Sequence, residues 1–202
     1  KKLGYSSKRT MLLAQRLYEN GLITYMRTDS TNLSTESLTA AKSWITKELG
    51  EKYAAQAPRA FQTKSKLAQE AHDAIPPTHV DNIPENFSRD EREKKLNKLI
   101  WQRFVGSQLA QAISEGTTIY IQAGKYELKV TGNILKFDGY LKVWPQKFEE
   151  KDLPQLKEKE RLTLKEVLPE QHFTEPPARY SEAPLIKTLE EKGIGRPSTY
   201  AP

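Results

Sequence analysis

The spacing of the apolar residues changes once along this 202-residue chain, near Gly116, and that change constrains the fold more than any other feature. Before Gly116 the apolar residues recur every three or four positions, which is typical of one face of an α-helix. After it, short runs alternate apolar and polar residues with a period of two, which is typical of half-buried strands. Because helices and strands occupy separate stretches, the sequence predicts an α+β fold rather than an alternating α/β fold.

Two amphipathic helices are predicted in the first fifty residues. The first begins at the cap candidates Ser6 and Ser7 and ends at Gly21, where a left-handed residue is favoured. The second spans residues 34–49, and Gly50 ends it. The apolar stripe of the first helix consists of Met11, Ala14, Leu17 and Tyr18.

Two further helices are predicted before the change of pattern. One covers residues 65–75 and stops there because two prolines follow, and the residue before a proline disfavours the helical backbone. The other begins at Ser88, where Glu91 completes a capping box, and its apolar face continues through Ile113.

Strands and a last helix are predicted after Gly116. Residues 117–121, 126–130 and 162–164 alternate with a period of two, which predicts three or more antiparallel strands. From residue 176 the pattern is helical again, with one apolar face formed by Ala183, Ile186 and Leu189.

These blocks predict a multi-domain chain in three parts: a helical domain at residues 1–115, a β-rich segment at 116–174 and the start of another helical domain at 175–202. The chain carries 32 basic and 26 acidic residues, so its formal net charge is +6. A basic surplus of this size favours a polyanionic partner such as nucleic acid.

The composition also excludes several classes of site. Without cysteine the chain has no disulfide framework, no thiolate zinc site and no cysteine nucleophile. The three histidines, His72, His79 and His172, are too scattered to indicate a metal centre. No apolar run approaches the roughly 20 residues that a membrane span needs, and no signal peptide is visible, so we expect no membrane partner.

The segment between the first two helices carries the residues that are best suited to chemistry. If it is extended, Ile23, Tyr25, Arg27 and Asp29 lie on one face. One interpretation is a buried tyrosine beside an Arg–Asp pair. The other is a nucleophilic tyrosine, whose phenolate the neighbouring arginine would favour while it also holds a phosphodiester.

The same segment is one of a series of short motifs that resembles the type IA DNA topoisomerases. In chain order the motifs are GYSSKRT at 4–10, AQRLYE at 14–19, ITYMRTDS at 23–30, QEAHDAI at 69–75, FDGYLKV at 137–143, PPARYSEA at 176–183 and GIGRPSTYA at 193–201. They follow the family's order and span nearly the whole chain. The sequences of the motifs are most similar to those of the bacterial topoisomerase I branch. Topoisomerase III and reverse gyrase are relatives whose chemistry is also consistent with these motifs.

The resemblance implies a specific reaction. Tyr25 would cleave one strand of single-stranded DNA and become linked to the 5′ phosphate, and the 3′ hydroxyl would later restore the strand without ATP. Arg27 would contact the scissile phosphate, and Asp29 would orient Arg27 or a neighbouring donor. His72 would contact phosphate or handle a proton.

The resemblance also implies partners and a cofactor. Arg196, Ser198 and Thr199 would hold the DNA backbone near the cut, and Arg179 would contact DNA from the preceding motif. The partners would be single-stranded DNA, negatively supercoiled duplex DNA and the Toprim domain of the same parent chain, in a monomer that works in the bacterial cytoplasm at the nucleoid. Mg²⁺ would be a cofactor of the parent enzyme, with its site outside this chain.

The chain departs from the family pattern in two places. Pro76 stands where the family commonly has an arginine, which puts one phosphate contact in doubt. The acidic Toprim domain that precedes the tyrosine in the family is not present here, so we expect a fragment that binds single-stranded DNA weakly and cleaves it poorly or not at all. The alternatives are a non-catalytic module that binds single-stranded nucleic acid, and a structural or partner-interaction fragment.

Overall fold

The computed structural model describes residues 2–59, 61, 73–84 and 90–200. Its contacts divide the chain into two compact units. The first consists of Lys1–Ile113, Phe137–Lys147 and Tyr180–Pro202, and the second of Ser114–Lys136 and Phe148–Arg179. The division into three domains that the sequence favours stays a prediction.

The chain forms four α-helices and one hairpin within the described residues. The helices are α1 (Ser7–Glu19), α2 (Thr35–Leu49), α3 (Glu91–Gln108) and α4 (Glu182–Glu191), and the strands are β1 (Ile113–Ala123) and β2 (Tyr126–Phe137). Short 3₁₀ helices lie at Glu51–Tyr53 and Gly139–Lys142. The expected mixture of helices and antiparallel sheet is therefore confirmed.

Helix α1 begins and ends where local chemistry predicts. The Ser6 side chain accepts a hydrogen bond from the Arg9 backbone N–H at 3.3 Å and caps the helix. At the other end Gly21 has φ of 68°. Its N–H donates to the Tyr18 carbonyl at 2.8 Å, and the Leu22 N–H donates to the Leu17 carbonyl at 2.9 Å. This is a Schellman cap, which reverses the chain and directs it into the segment that carries Tyr25.

Helices α2 and α3 pack around a first core cluster in the first unit. Trp44 of α2 and Trp101 of α3 meet edge to face, with 4.9 Å between ring centroids. The Trp101 indole N–H donates to the Val80 carbonyl at 2.8 Å, so its buried polar atom is satisfied. Helix α2 follows its prediction closely, with Ser34 as the N-cap and Gly50 as the C-cap.

A second core cluster joins α1 to α3. Leu13, Ala14 and Leu17 of α1 pack with Leu96 of α3 and with two residues of the following segment, Ile23 and Met26. A hydrogen bond of 3.2 Å from Arg16 of α1 to the buried Glu93 of α3 reinforces this contact. The cluster gives the Tyr25 segment a rigid apolar base.

The prediction for α3 is wrong at both ends. The helix begins at Glu91 with Asp90 as its N-cap, because the Asp90 carboxylate accepts from the Arg92 N–H at 2.8 Å. The helix ends at Gln108, and Ile113 belongs to β1. Ser88 lies outside the described residues.

The helix predicted at residues 65–75 lies mostly outside the described part of the chain, and residues 73–75 are not helical. Their backbone is used in a different way. The Ala74 N–H donates to the Asn32 carbonyl at 2.7 Å, and the Ala74 carbonyl accepts from the Thr24 hydroxyl at 2.9 Å. A tertiary contact thus replaces the local helical bonds that the pattern favoured.

The second unit contains a two-stranded hairpin, and the third predicted strand is wrong. Strands β1 and β2 pair with each other, and an isolated antiparallel bridge joins Asn133 to Lys151. Residues 162–164 are exposed and belong to no strand. No backbone among the described residues pairs with residues 162–164, and an extended segment needs such a partner to form a strand.

Among the described helices, none is long and apolar enough to span a bilayer.

Replacing Gly21 by alanine tests the cap that precedes the tyrosine segment. We expect Gly21→Ala to lower the free energy of unfolding by about 1–2 kcal/mol, because a Cβ is strained in the left-handed region. Urea unfolding followed by Trp44 and Trp101 fluorescence measures the change. Asn20→Ala is the control, since Asn20 has an ordinary φ of −83° and caps through its backbone. Equal stability of the two variants would contradict this role of Gly21.

Candidate active site

Tyr25 follows a short stretch of backbone pairing with the segment at residues 74–78. Ile23 and Pro77 form an antiparallel bridge. The Thr24 N–H donates to the Pro76 carbonyl at 3.1 Å, and the Thr78 N–H donates to the Leu22 carbonyl at 3.1 Å. Pro76 takes part through its carbonyl, which a proline retains, so the departure from the family's arginine leaves this pairing intact.

The predicted single face of the tyrosine segment is wrong. Ile23 is 1% exposed and Met26 is 5% exposed, whereas Tyr25 is 42% exposed and Arg27 is also exposed. Asp29 is half-buried. The strand-like pairing stops near Thr24 and the chain then bends, so alternation does not continue through Asp29. The result places two apolar residues in the core and presents the phenol and the guanidinium to solvent.

Tyr25 packs against a second tyrosine that the sequence-based interpretation assigned to an apolar helix stripe. Its ring meets Tyr18 of α1 edge to face, with 5.3 Å between centroids and 69° between planes. Tyr18 is 41% exposed, so it contributes little to the core. The signal that could have identified it is the Schellman cap at Gly21, which folds the chain back along the last turn of α1.

Arg27 and Asp29 do not pair with each other, contrary to one expectation. Among the described residues neither makes an ion pair or a side-chain hydrogen bond. The backbone around them is held by two hydroxyls instead. Thr28 Oγ1 accepts from the Ser30 N–H at 3.0 Å, and Ser30 Oγ accepts from the Asn32 N–H at 3.1 Å. These two local turns fix the course of the loop and leave the guanidinium available to a ligand.

Asp29 instead acts electrostatically on Tyr200 of the C-terminal motif, which is the GIGRPSTYA motif at residues 193–201. Burial raises the pKa of the Tyr200 phenol above its ordinary value, and the negative charges of Glu190 and Asp29 raise it further. The positive charge of Arg196 acts in the opposite direction on the same pKa. Asp29 and Arg196 therefore both act electrostatically on the Tyr200 phenol, and the contribution of Asp29 is the smallest of those named.

The C-terminal motif forms a tight turn. The Thr199 hydroxyl accepts from the Arg196 N–H at 2.9 Å and donates to the Arg196 carbonyl at 3.1 Å. Gly195 has φ of 81°, and a Cβ there would lie 3.0 Å from the Tyr200 ring, so glycine is required on two grounds. Thr199 thus stabilises the turn, while Arg196 and Ser198 are exposed on it.

A carboxylate of α4 caps the N-terminus of α1. Glu182 Oε2 accepts from the Ser7 backbone N–H at 2.6 Å. This hydrogen bond lowers the pKa of the Glu182 carboxyl below its ordinary value. The first turn of α1 contains no acidic residue of its own, so an anion from α4 satisfies a free N–H and complements the helix dipole. Glu182 belongs to the PPARYSEA motif at residues 176–183, but the sequence does not indicate that its carboxylate caps α1.

For two predicted site residues the structure gives no position relative to Tyr25. His72 lies outside the described residues, although Ala74, two positions later, is bonded to Thr24 beside Tyr25. Arg179 belongs to the second unit and is exposed. Within the described residues, no group of three or more histidines or carboxylates is close enough together to hold a metal ion.

The fold and these motifs place the chain in a known class. It matches the solved structure of full-length topoisomerase I from Thermotoga maritima with a TM-score of 0.78 and 35% sequence identity, over 99% of this chain and 34% of that one. A bacterial topoisomerase is therefore the class that this fold defines.

The sequence comparison gives the family directly. The profile described as DNA topoisomerase matches residues 1–202, and the chain belongs to this family. It is 48% identical to DNA topoisomerase 1 of Haemophilus influenzae and 50% identical to that of Pseudomonas aeruginosa, in each case over 99% of this chain and 23% of the relative. The chain thus spans about a quarter of the length of these curated relatives, and the resemblance seen in the sequence is confirmed.

Removing the carboxylate of Glu182 tests the link between α4 and α1. Because the folded-state pKa is lowered, the stabilisation is present above the ordinary carboxyl pKa of 4.5 and is lost as the pH falls through the folded value. We expect Glu182→Gln to lower the unfolding temperature at pH 7 and to have a progressively smaller effect as the pH falls below 4.5. Glu191→Gln is the control, since that carboxylate pairs with Lys187 on the surface of the same helix. A deficit that persists unchanged at pH 3 would refute the charge-based account.

Proposed function

We propose that this chain is the tyrosine-bearing part of a type IA DNA topoisomerase. The parent enzyme would relax negatively supercoiled DNA through a transient single-strand break. The observation that carries the proposal is the exposure of Tyr25 on a segment whose neighbours Ile23 and Met26 are anchored in the core. A nucleophile must be accessible and held in one geometry, and this arrangement meets both requirements.

The proposed reaction exchanges one phosphodiester for another. The Tyr25 oxygen attacks the scissile phosphorus, a new O–P bond forms, and the bond from phosphorus to the 3′ oxygen breaks. The phenol loses a proton and the departing 3′ oxygen gains one, so the net charge is conserved. The reverse attack by the 3′ hydroxyl releases Tyr25 and restores the strand, and no ATP is consumed.

Arg27 is the residue that we propose to stabilise this reaction. Its guanidinium is exposed two positions after Tyr25, and no carboxylate among the described residues neutralises it. A guanidinium can hold two phosphate oxygens at once and can offset the negative charge that develops in the transition state. We propose that His72 assists with phosphate contact or proton transfer, because the chain two residues beyond it is tied to Thr24.

The C-terminal turn is the proposed DNA-backbone contact. Arg196 and Ser198 are exposed on it and supply a cation and a hydroxyl for phosphate. Thr199 supports them by holding the turn, and Arg179 is proposed to contact DNA from the second unit. For Asp29 we propose an electrostatic action on the Tyr200 phenol, because its charge raises the pKa of that group and it does not pair with Arg27.

The metal site, the oligomeric state and the cellular location are proposed for the parent protein. Mg²⁺ does not fit the residues described here, because no acidic cluster among them could bind it, and no step above depends on it. We place its site in the Toprim domain of the parent chain, which would work as a monomer in the bacterial cytoplasm at the nucleoid. The 202-residue chain by itself would bind single-stranded DNA weakly and form little covalent adduct.

Tyr25→Phe in the full-length parent protein tests the nucleophile. We expect loss of the covalent adduct with a 3′-labelled single-stranded oligonucleotide, because the strand on the 3′ side of the cut is the one that stays attached to the tyrosine. Salt-dependent binding of the same oligonucleotide should stay within about 2-fold, because the phenol oxygen forms the bond but phosphate contacts dominate affinity. Tyr18→Phe is the matched control and should keep both properties. An adduct that survives in Tyr25→Phe would favour the non-catalytic binding module.

Tyr18→Ala tests whether the neighbouring ring positions the nucleophile. Loss of an edge-to-face aromatic contact is worth about 0.5–1.5 kcal/mol, so we expect the rate of adduct formation to fall about 2- to 10-fold. Tyr18→Phe retains the ring and should restore the rate. If Tyr18→Ala reduced oligonucleotide affinity instead of the rate, Tyr18 would be a DNA contact rather than a positioning residue.

A further inference from the structure

A cavity of about 500 Å³ lies in the first unit, directly beside the loop that follows Arg27. Its lining includes Thr28 and Ser30 of that loop, together with Arg103, Phe104 and Trp144. Pockets that bind small molecules have volumes of roughly 300–1,000 Å³, so this cavity is large enough for one planar heterocycle and its sugar. The proposed reaction uses none of these lining residues.

The wall of the cavity combines apolar surface with an unused hydrogen-bond donor. Ser30 is 7% exposed, and its hydroxyl accepts from the Asn32 N–H. Within the described part of the chain the proton of that hydroxyl has no acceptor. Buried polar groups are normally satisfied, so a donor in this position favours a ligand that brings an acceptor atom. Phe61, which is 43% exposed, and Leu99 supply apolar surface for the flat faces of such a ligand.

The charge around the cavity is positive. The Arg103 guanidinium lies 5.4 Å from the centroid of the Trp144 ring, and the Lys2 ammonium lies 3.6 Å from the same ring. No carboxylate of the described residues pairs with Arg103, and the lining contains no acidic side chain among them. An exposed guanidinium at a largely apolar cavity suits a ligand with a flat apolar body and an attached anion.

We propose that this cavity binds an unstacked nucleobase of the single-stranded DNA held at Tyr25, with the phosphate of that nucleotide on Arg103. The inference rests on the proposed function and adds a subsite to it. Thr28 is three positions after Tyr25, and three positions span at most about 10 Å of chain. The cavity therefore lies within reach of the nucleotides next to the cut. Base and aromatic faces stack without strict sequence preference, and the Ser30 hydroxyl adds a contact to the edge of the base.

The first experiment compares two eight-nucleotide probes on the 202-residue chain at fixed low salt: oligothymidylate, and an abasic strand with the same number of phosphates. Fluorescence anisotropy measures both affinities. We expect oligothymidylate to bind more tightly. Ser30→Ala should weaken oligothymidylate several-fold and leave the abasic strand unchanged, whereas Arg103→Gln should weaken both about 10-fold. Arg92→Gln is the matched control, because Arg92 is exposed on the first turn of the same helix and does not line the cavity.

A second variant fills the cavity. Leu99→Trp should remove the preference for oligothymidylate over the abasic strand, and the urea midpoint of each variant establishes that it is folded. Equal affinity of the two probes for the wild-type chain would overturn the proposal. So would a preference that survives both Ser30→Ala and Leu99→Trp in folded protein.

The same variants in the full-length parent separate this inference from the proposed function. If the wild-type parent forms the Tyr25 adduct but Ser30→Ala and Leu99→Trp bind both probes as the wild type does, the cavity does not bind a base and the proposed reaction stands. If the wild-type parent forms no adduct with single-stranded DNA, the proposed function fails. The difference between the two probes then still reports whether the cavity accepts a base.

Discussion

The structure of the site depends on the backbone pairing between residues 22–24 and 76–78, which lies on the second core cluster. The Schellman cap at Gly21 turns the chain out of α1, and the pairing then holds it against a segment 50 residues away in sequence. Ile23 enters the core at this point, and the bend that follows leaves Tyr25 at the surface. The side chain that we propose to react with DNA is thereby exposed while its backbone is fixed.

The elements around the site differ in how firmly they are held. Helix α1 is tied to α3 by buried leucines and by the hydrogen bond from Arg16 to Glu93. Helix α4 has no buried residue, and among the described residues it is hydrogen-bonded to α1 through the carboxylate of Glu182. Surface polar contacts are weaker than apolar burial, so the region that carries the proposed DNA contacts is attached less firmly than the region that carries Tyr25.

Much of the fold was predictable where the determining interactions are local. Ser6 and Ser34 cap α1 and α2, and Gly21 and Gly50 end them, because these effects act within one or two turns of the chain. The predicted start of α3 was wrong because Ser88 and Asp90 are both favoured N-cap residue types. Only the hydrogen bond from the Arg92 N–H to the Asp90 carboxylate shows which of them caps the helix. The supposed strand at residues 162–164 failed because a strand needs a partner as well as an alternating pattern.

The sequence by itself determined the α+β character, the first two helices and the family, because capping, periodicity and ordered motifs are all encoded along the chain. It also identified Tyr25 and Arg27 as the candidates for chemistry. The tertiary structure decided which side chains of that segment face the solvent, that Tyr18 packs on Tyr25, and that Arg27 and Asp29 do not pair with each other. It also brought Glu182 to the N-terminus of α1, 175 residues away. These outcomes depend on contacts between distant segments, and periodicity within one segment carries no information about the segment that packs against it.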